Sequence, residues 1–427
     1  MRLARSLSEL TRYLEETIEG ARFQRSRVTF DDQDEWSIRE GVLSHRSNSF
    51  FHVVGYQSGA REHLLLYQPQ NALNGIALHR DGRQTCLLLQ ARVEPGNTGI
   101  GNFGPTVQST AGNYMRQHGG RATPHLDLFF AYHPDCQPIS NSTQFDLGDY
   151  YLHKTKTISA VETSGLLDTE QNMVWVEAPV LIQALHTSHL INTDLRSLLV
   201  TLDWDALLAP SDVSAQPSLT GSPAMLDKLA LPPAAPRERG RMVPLDQLTD
   251  WAVTDDGIAD RAGRGRSVQL VRVETGTREV PVWTQPLVCA ANRQHVVLLV
   301  RNWQSDAPEF LITAGREIGV SGGQVLQPSA IHTSGPVPDL QPAGSRIIHD
   351  CTQSEEGGRF MELETRYQII EVDSTHAAGP DQYWVDVSLL KRLLRTSNRT
   401  SMLLRCVASL VLPKLYPALA SEMEAVR

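Results

Sequence analysis

The stretch FHVVGYQSGAREHLLLYQPQ, residues 51–70, returns later in the chain as VQLVRVETGTREVPVWTQPL, residues 268–287. At an offset of 217, Gly59 meets Gly276, Arg61 meets Arg278, Glu62 meets Glu279, Gln68 meets Gln285 and Pro69 meets Pro286. The series continues in order with small changes of offset. Arg80 falls on Arg301, Glu94 on Glu317, Gln108 on Gln327, Asp135 and Cys136 on Asp350 and Cys351, and Phe145 on Phe360. WVEAPVLIQALHTSHL from Trp175 then matches WVDVSLLKRLLRTSNR from Trp384. A single coincidence is weak, but an ordered series is the signature of a duplicated domain.

Composition marks the seam. Residues 209–240 carry six prolines and no periodic pattern, which reads as a linker. The expected organisation is an N-terminal helix over residues 1–29, a first repeat over 30–208, a linker over 209–244 and a second repeat over 245–427. In the first repeat, apolar runs at 50–56 and 64–67 flank a glycine turn and predict a hairpin. Runs at 75–79 and 85–90 flank Asp81 and Gly82, a good turn pair. Further strand-like runs lie at 126–132 and 158–163. Helices follow at 179–185, with Pro in the first turn, and at 192–208, capped by Asn192. Their second-copy equivalents fall at 388–395 and 397–411. Strands followed by helices argue for an α+β fold. At the N-terminus, Leu3, Leu7, Leu10, Leu14 and Ile18 mark an amphipathic helix with Ser6 and Glu9 as a capping box.

The 427 residues carry 39 Lys+Arg against 48 Asp+Glu, a net charge of −9. That makes the chain a poor candidate for a phosphate-backbone binder and still allows a local anion pocket, so no nucleic-acid partner is expected. No apolar run approaches the ~20 residues of a membrane span, and no membrane association is expected. The N-terminus lacks the apolar core of a secretory signal. Five widely spaced cysteines form no CxxC and read as reduced thiols of a cytoplasmic chain.

Residues 94–120, EPGNTGIGNFGPTVQSTAGNYMRQHGG, hold seven glycines among Asn, Gln, Tyr, Arg and His side chains. A long polar loop inside a compact domain is usually functional or disordered; the ligand-site reading is preferred here over a structural surface loop, because loops on rigid scaffolds carry function. The corresponding residues 322–333, GGQVLQPSAIHT, lack its Asn-Tyr pair, and ten of the 14 histidines precede residue 215. The first copy is therefore expected to carry the chemistry and the second a degenerate pocket. There is no Walker A motif, no GxGxxG after a strand, no HExxH, no EF-hand loop and no GxSxG, so nothing requires a metal or a dinucleotide.

LYQPQNALNGIALHRDG, then ARVEPGN, then FGPTVQSTAGNYMRQHGG, with WTQPL and LQPS in the second copy, resembles the NDP-hexose 2,3-dehydratases of deoxysugar biosynthesis. The likeness spans roughly residues 30–205 and 245–412. QSEEGGRF, residues 353–360, is similar to a stretch that both repeats of that family carry. The first-copy counterpart, CQPISNSTQFDLGDYYLHKTKT at residues 136–157, departs from it. The resemblance implies two Nudix-like domains, a homodimer and a dTDP-linked 4-keto-6-deoxy sugar as substrate. It also implies no cofactor or metal, and a downstream 3-ketoreductase that consumes the unstable product. A Nudix hydrolase needs a run of metal-binding glutamates. AGREIGVSGG at 314–323 has Arg-Glu without the glutamates that should follow. The rival readings are a Nudix-like nucleotide-sugar hydrolase and a non-catalytic nucleotide-sugar binder.

The implied reaction needs a base for the C3 proton, donors for the enolate oxygen and an acid for the departing water. Each proton transfer is worth ~10²–10⁴ in rate. From the polar loop, His118 is the expected base or acid and Tyr114 the enolate donor; a helix starting near Ala111 would put both on one face. Glu94 is a second candidate base, although its survival as Glu317 also fits a structural role. Gln68, Asn74, Arg80, Asn97, Thr106, Gln108, Asn113 and Arg116 form the expected substrate-binding set. Arg80 or Arg116 is expected on the diphosphate, because a guanidinium fork suits phosphate oxygens. Gln285, Arg301 and Gln327 are expected in the second pocket.

Overall fold

The computed structural model describes residues 1–425 apart from 83, 118, 131–132, 170–171, 209–239, 264, 277, 291, 321, 323 and 334–339. His118 and most of the expected linker therefore lie outside the described residues. The fold is α+β, with four mixed sheets and short helices.

In the first half the larger sheet follows the order Leu3–Ala4, Met173–Glu177, Thr85–Val93, Ala72–Arg80, Thr155–Thr163, Cys136–Phe145. Its centre reads as almost unbroken apolar sequence because both faces are covered: residues 72–78 are all buried. Gly82 takes φ +83° in the tight turn joining the two central strands. A smaller sheet runs Tyr151–Leu152, Arg61–Tyr67, His52–Ser58, Val42–His45, Trp36–Arg39.

The second half follows the same paths. Its larger sheet runs Gln324–Gln327, Glu309–Arg316, Gln294–Arg301, Glu364–Glu371, Arg346–Ser354, with Gln382–Asp386 also on Glu309–Arg316. Its smaller sheet runs Trp251–Thr254, Gly257–Asp260, Ser267–Glu274, Val282–Cys289, Phe360–Met361. Even single hydroxyls recur. Thr106 Oγ1 accepts from the Ala77 amide and donates to the Leu88 carbonyl. Ser329 Oγ does the same between Leu299 and Leu311.

The halves are laced together. Gln24–Val28, which precedes the first half, pairs with Ser267–Glu274 of the second. Arg241–Val243, which precedes the second half, pairs with His52–Ser58 of the first. Residues 241–243 of the expected linker are thus a sheet strand. Two glycine loops also cross. The Gly96 amide donates to the Gly357 carbonyl at 2.8 Å, and the Gly319 amide to the Gly148 carbonyl at 2.6 Å. A Cβ at Gly96 would lie 1.6 Å from the Phe360 carbonyl oxygen, and one at Gly319 1.7 Å from that of Tyr151. Only glycine allows either approach.

The caps fall where the residue types place them. Ser6 accepts from the Glu9 amide ahead of the helix Leu7–Gly20, although the Glu9 carboxylate turns back to the Arg5 amide. Asn192 accepts from Leu195 ahead of Thr193–Leu199, and Ser401 from Leu404 ahead of Met402–Ala408.

Three expectations need correction. The described part of the expected strand at 126–132 is not extended: Asp127–Phe130 is a single helical turn, and 131–132 lie outside the described residues. Leu3 belongs to a strand paired with Trp175, not to the helix. The ungapped offset of 217 is not the structural register. The first hairpin closes Ser58 on Arg61, whereas the second closes Glu274 on Val282 through a longer turn. Gln68 consequently follows its strand, while Gln285 lies inside the corresponding one. Likewise it is Tyr151, not Phe145, that takes the place of Phe360: Tyr151 pairs with Leu66, and Phe360 with Val288.

Candidate active site

The strand Thr155–Thr163 runs parallel to Ala72–Arg80 and sets Lys156 beside Ala72. Lys154 immediately precedes that strand, so the two-residue repeat of extended chain sends both lysines to one side. Asp146 follows the neighbouring strand Cys136–Phe145, and Asp194 sits in the first turn of Thr193–Leu199. Glu356 arrives from the second half.

These side chains form a buried charged cluster. Lys156 Nζ lies 2.6 Å from Asp194, 3.1 Å from Asp146 and 3.5 Å from Glu356. Lys154 Nζ donates to Gln68 Oε1 at 3.2 Å and lies 3.6 Å from Asp146. Asn74 donates to Asp194 at 2.9 Å, and the Tyr151 hydroxyl to Glu356 at 3.0 Å. Burial opposes charge on Lys156, but Asp146, Asp194 and Glu356 outweigh it and hold the ammonium well above its usual range. Burial, only partly offset by Glu356 and Asp146, pulls Lys154 the other way. Burial also opposes ionisation of Glu356, but Lys156, Lys154 and Arg359 prevail and keep it ionised.

Beside the cluster lies Glu94, only 4% exposed. Arg92 Nη2 reaches its Oε1 at 2.8 Å and Arg278 Nη1 at 3.4 Å. Burial alone would raise its pKa; the two guanidinium groups more than offset this and keep it a carboxylate. Glu94 stands at the junction of two spaces. One is a small cleft of 30 Å³ bordered by Asn74, Gln108, Lys154, Lys156, Asp194 and Glu356. The other is a cavity of 330 Å³ with an aromatic wall of Trp36, Phe50, Phe51 and Trp283. Asn113, Arg278 and Arg359 border both. The arrangement offers aromatic surface for a planar base, guanidinium groups for an anion, and a fixed ammonium beyond them.

Of the residues expected from sequence, Asn74, Glu94, Gln108 and Asn113 meet at the small cleft, and Gln68 supports Lys154 from behind. The others lie elsewhere. Arg80 is engaged by Glu162 at 2.6 Å. Arg116 is exposed and donates to its own loop at Gly120. Thr106 ties the sheet together, and Asn97 is buried against Gly357. Tyr114 packs on Phe130, with ring centroids 5.1 Å apart, and does not border the cleft. The helix Ala111–Tyr114 ends before residue 118, and Arg116 at φ +57° turns the chain out of helical geometry, so the expected shared face is not built. The second-pocket set is scattered. Gln285 borders the 330 Å³ cavity and donates to Gly358. Arg301 pairs with Glu309, and Gln327 approaches Glu317.

Sequence reasoning missed Lys154, Lys156, Asp146, Asp194, Arg92, Arg278, Glu356 and Arg359. A signal existed for the lysines. The chain has only five, and two stand at alternate positions in one strand-like run. The second half keeps one carboxyl of this cluster and neither lysine: Glu355 stands where the first half has Asp146, its amide donating to the Leu363 carbonyl as the Asp146 amide does to that of Lys154. The ladder and cap registers put Leu363 where the first half has Lys154, Thr365 for Lys156, Leu403 for Asp194 and Val296 for Asn74. Among the described residues no group of His, Cys, Asp and Glu could hold a metal ion, and no helix is long and apolar enough to cross a membrane.

The family model for NDP-hexose 2,3-dehydratase matches residues 7–202, 228–335 and 338–411. Among curated proteins, the chain is similar to a dTDP-4-dehydro-6-deoxy-alpha-D-glucopyranose 2,3-dehydratase of Streptomyces violaceoruber. The two are 28% identical, over 91% of this chain and 94% of the relative. Enzymes of the same description from Amycolatopsis orientalis and Saccharopolyspora spinosa are 28% and 26% identical, covering 90% and 88% of this chain and 86% and 85% of their own. A match spread along both halves of the chain establishes that it belongs to the NDP-hexose 2,3-dehydratase family.

Proposed function

We propose that the chain removes the C2 hydroxyl of a dTDP-linked 4-keto-6-deoxyhexose, giving a 3,4-diketo-2,6-dideoxyhexose. The observation that carries this reading is the cleft itself. A buried ammonium, Lys156, is held charged by three carboxylates within 3.5 Å and borders the same space as Glu94. The adjacent ketone acidifies the C3 hydrogen. Its loss places negative charge on the C4 oxygen, and expulsion of the C2 hydroxyl follows. A preorganised, buried cation stabilises that oxyanion without reorganisation. Arg278 and Arg359, which border both spaces, suit the diphosphate. Trp36, Phe50 and Trp283 suit the thymine ring. Elimination to the diketone is internally redox-neutral, and the chain's own residues suffice for it.

The matching strand paths support reading the chain as two Nudix-like repeats, 30–208 and 245–427, joined by 209–244 and led by the segment 1–29. The first repeat is the catalytic one. We further propose a cytoplasmic homodimer whose product passes to a 3-ketoreductase.

Incubation with dTDP-4-keto-6-deoxyglucose, a 3-ketoreductase and NADPH tests the reading. A reduced 2,6-dideoxy sugar nucleotide is expected. Recovery of unchanged keto sugar, or release of thymidine monophosphate, overturns it.

A further inference from the structure

Two lysines share one cluster but not one environment. Lys156 faces Asp194, Asp146 and Glu356. Lys154 has one carboxylate within ion-pair distance, Asp146 at 3.6 Å, and Lys156 holds that carboxylate more closely. Its other neighbours are the Gln68 amide oxygen at 3.2 Å and the face of the Tyr151 ring at 4.2 Å. The cations Lys156 and Arg359 oppose its charge, while Glu356 and Asp146 favour it. Its side chain is fully shielded from bulk solvent but borders the small cleft. The proton on Lys154 is therefore the one the cluster holds least firmly, and buried lysines readily serve as neutral bases.

The proposed substrate adds a stereochemical constraint. In a gluco-configured ring, the C3 hydrogen and the C2 hydroxyl lie on the same face. One group on that face reaches both.

Resting on the dehydratase reading above, we propose that Lys154 is the single proton carrier of the elimination. As the neutral amine it takes the proton from C3, and as the ammonium it returns that proton to the C2 oxygen. The C3–H electrons form the C3–C4 double bond, with the negative charge on the C4 oxygen beside Lys156. When the enolate collapses, the C2–O bond breaks, and the proton on Lys154 leaves with the hydroxide as water. Lys154 is again neutral, the product is the 3-enol of the diketone, and its hydroxyl proton moves to C2 on tautomerisation. Atoms and charge balance without a co-reactant. Leu363 occupies the matching place in the second half, so that half has no carrier.

The test uses the full chain with Lys154→Met and Lys154→Arg in the trapped assay, beside recovery of C3-deuterated substrate. Both variants are expected to lose turnover by ~10² or more, and to stop washing deuterium out of C3, as removal of one proton-transfer group requires. dTDP binding by calorimetry is expected to stay within a few-fold, because the nucleotide contacts are unaltered. Arginine keeps the charge but carries no neutral form near pH 7, so it separates a base from a structural cation. Lys154→Ala is expected to regain turnover with ethylamine, in proportion to the free amine as pH rises. If Lys154→Arg keeps turnover within about tenfold of wild type, or Lys154→Ala shows no rescue that follows the free amine, the assignment is overturned. A wild type that leaves the keto sugar unchanged overturns instead the functional reading on which it rests.

Discussion

Glu94 and Glu317 occupy the same place in their two halves and are held in opposite protonation states. Each follows the corresponding central strand, and each is buried at the loop that enters the other half. Glu94 lies against Arg92 and Arg278. Glu317 accepts from the Gly148 amide at 3.0 Å and from Gln327 at 3.5 Å. Burial, with Asp149 nearby, pushes its pKa up to about 8. One carboxyl is an anion beside the chemistry; the other is a neutral hydrogen-bonding group at neutral pH.

That difference sets a pH dependence. A carboxyl raised in the folded state stabilises it fully below its unfolded pKa, and the contribution is lost as pH rises through the folded value. Glu317 should therefore make the protein less stable on going from about pH 5 to about pH 8. Glu317→Gln keeps the shape without the titration. Its melting temperature should exceed that of wild type at pH 8, and its slope over that window should be shallower. Equal slopes for the two proteins would refute the assignment.

Arg359 and Arg80 separate an anion-binding guanidinium from a structural one. Arg359 borders both spaces, whereas Arg80 is taken up by Glu162. Arg359→Ala should weaken dTDP binding by tenfold or more, since a charge-assisted hydrogen bond is worth ~1.5–3 kcal/mol. Arg80→Ala should leave the affinity within about twofold, as a site away from the ligand allows. Titration calorimetry decides, and equal losses would count against the cavity as the nucleotide site.

Tyr114 and Glu94 divide in the same way. Tyr114→Phe keeps the ring that packs on Phe130 and should hold turnover within about threefold. Glu94→Gln strips Arg92 and Arg278 of their shared anion. It should cost ~3 kcal/mol of stability, as loss of one partner of a buried pair does, and lower turnover as well. Thermal melts and the trapped assay check both halves of this statement.

Much of the fold was legible because local chemistry decides it. Ser6, Asn192 and the Asp81 turn act within a few residues of themselves. The α+β class followed from such elements. The register did not. A longer turn in the second hairpin let unrelated Gly, Arg and Gln residues align by chance. The site was legible in part: Asn113, Gln108 and Glu94 of the first-half loop gather at the cleft with Asn74, and Gln68 backs Lys154. Lys154 and Lys156 lie in the stretch 136–157 that departs from the family pattern, and only the fold shows them buried among carboxylates. Arg278, Glu356 and Arg359 reach the cleft only through packing of one half on the other, which no local pattern encodes.

The crossed strands make a further claim about cooperativity. Gln24–Val28 and Arg241–Val243 each complete the other half's sheet. Scanning calorimetry of the full chain should give a single transition whose calorimetric and van't Hoff enthalpies agree. Two resolved transitions would mean that the halves fold independently.

The central claim is that chemistry occurs in the first-half cleft around Lys156. Its most direct measurement is turnover of Lys156→Met in the ketoreductase-coupled assay, with Gln327→Ala of the second half alongside and circular dichroism confirming that each is folded. Removing the cation that faces the enolate should lower turnover by ~10² or more, while Gln327→Ala stays within a few-fold of wild type. Wild-type turnover in Lys156→Met, with loss in Gln327→Ala, would place the reaction in the other half and contradict the account.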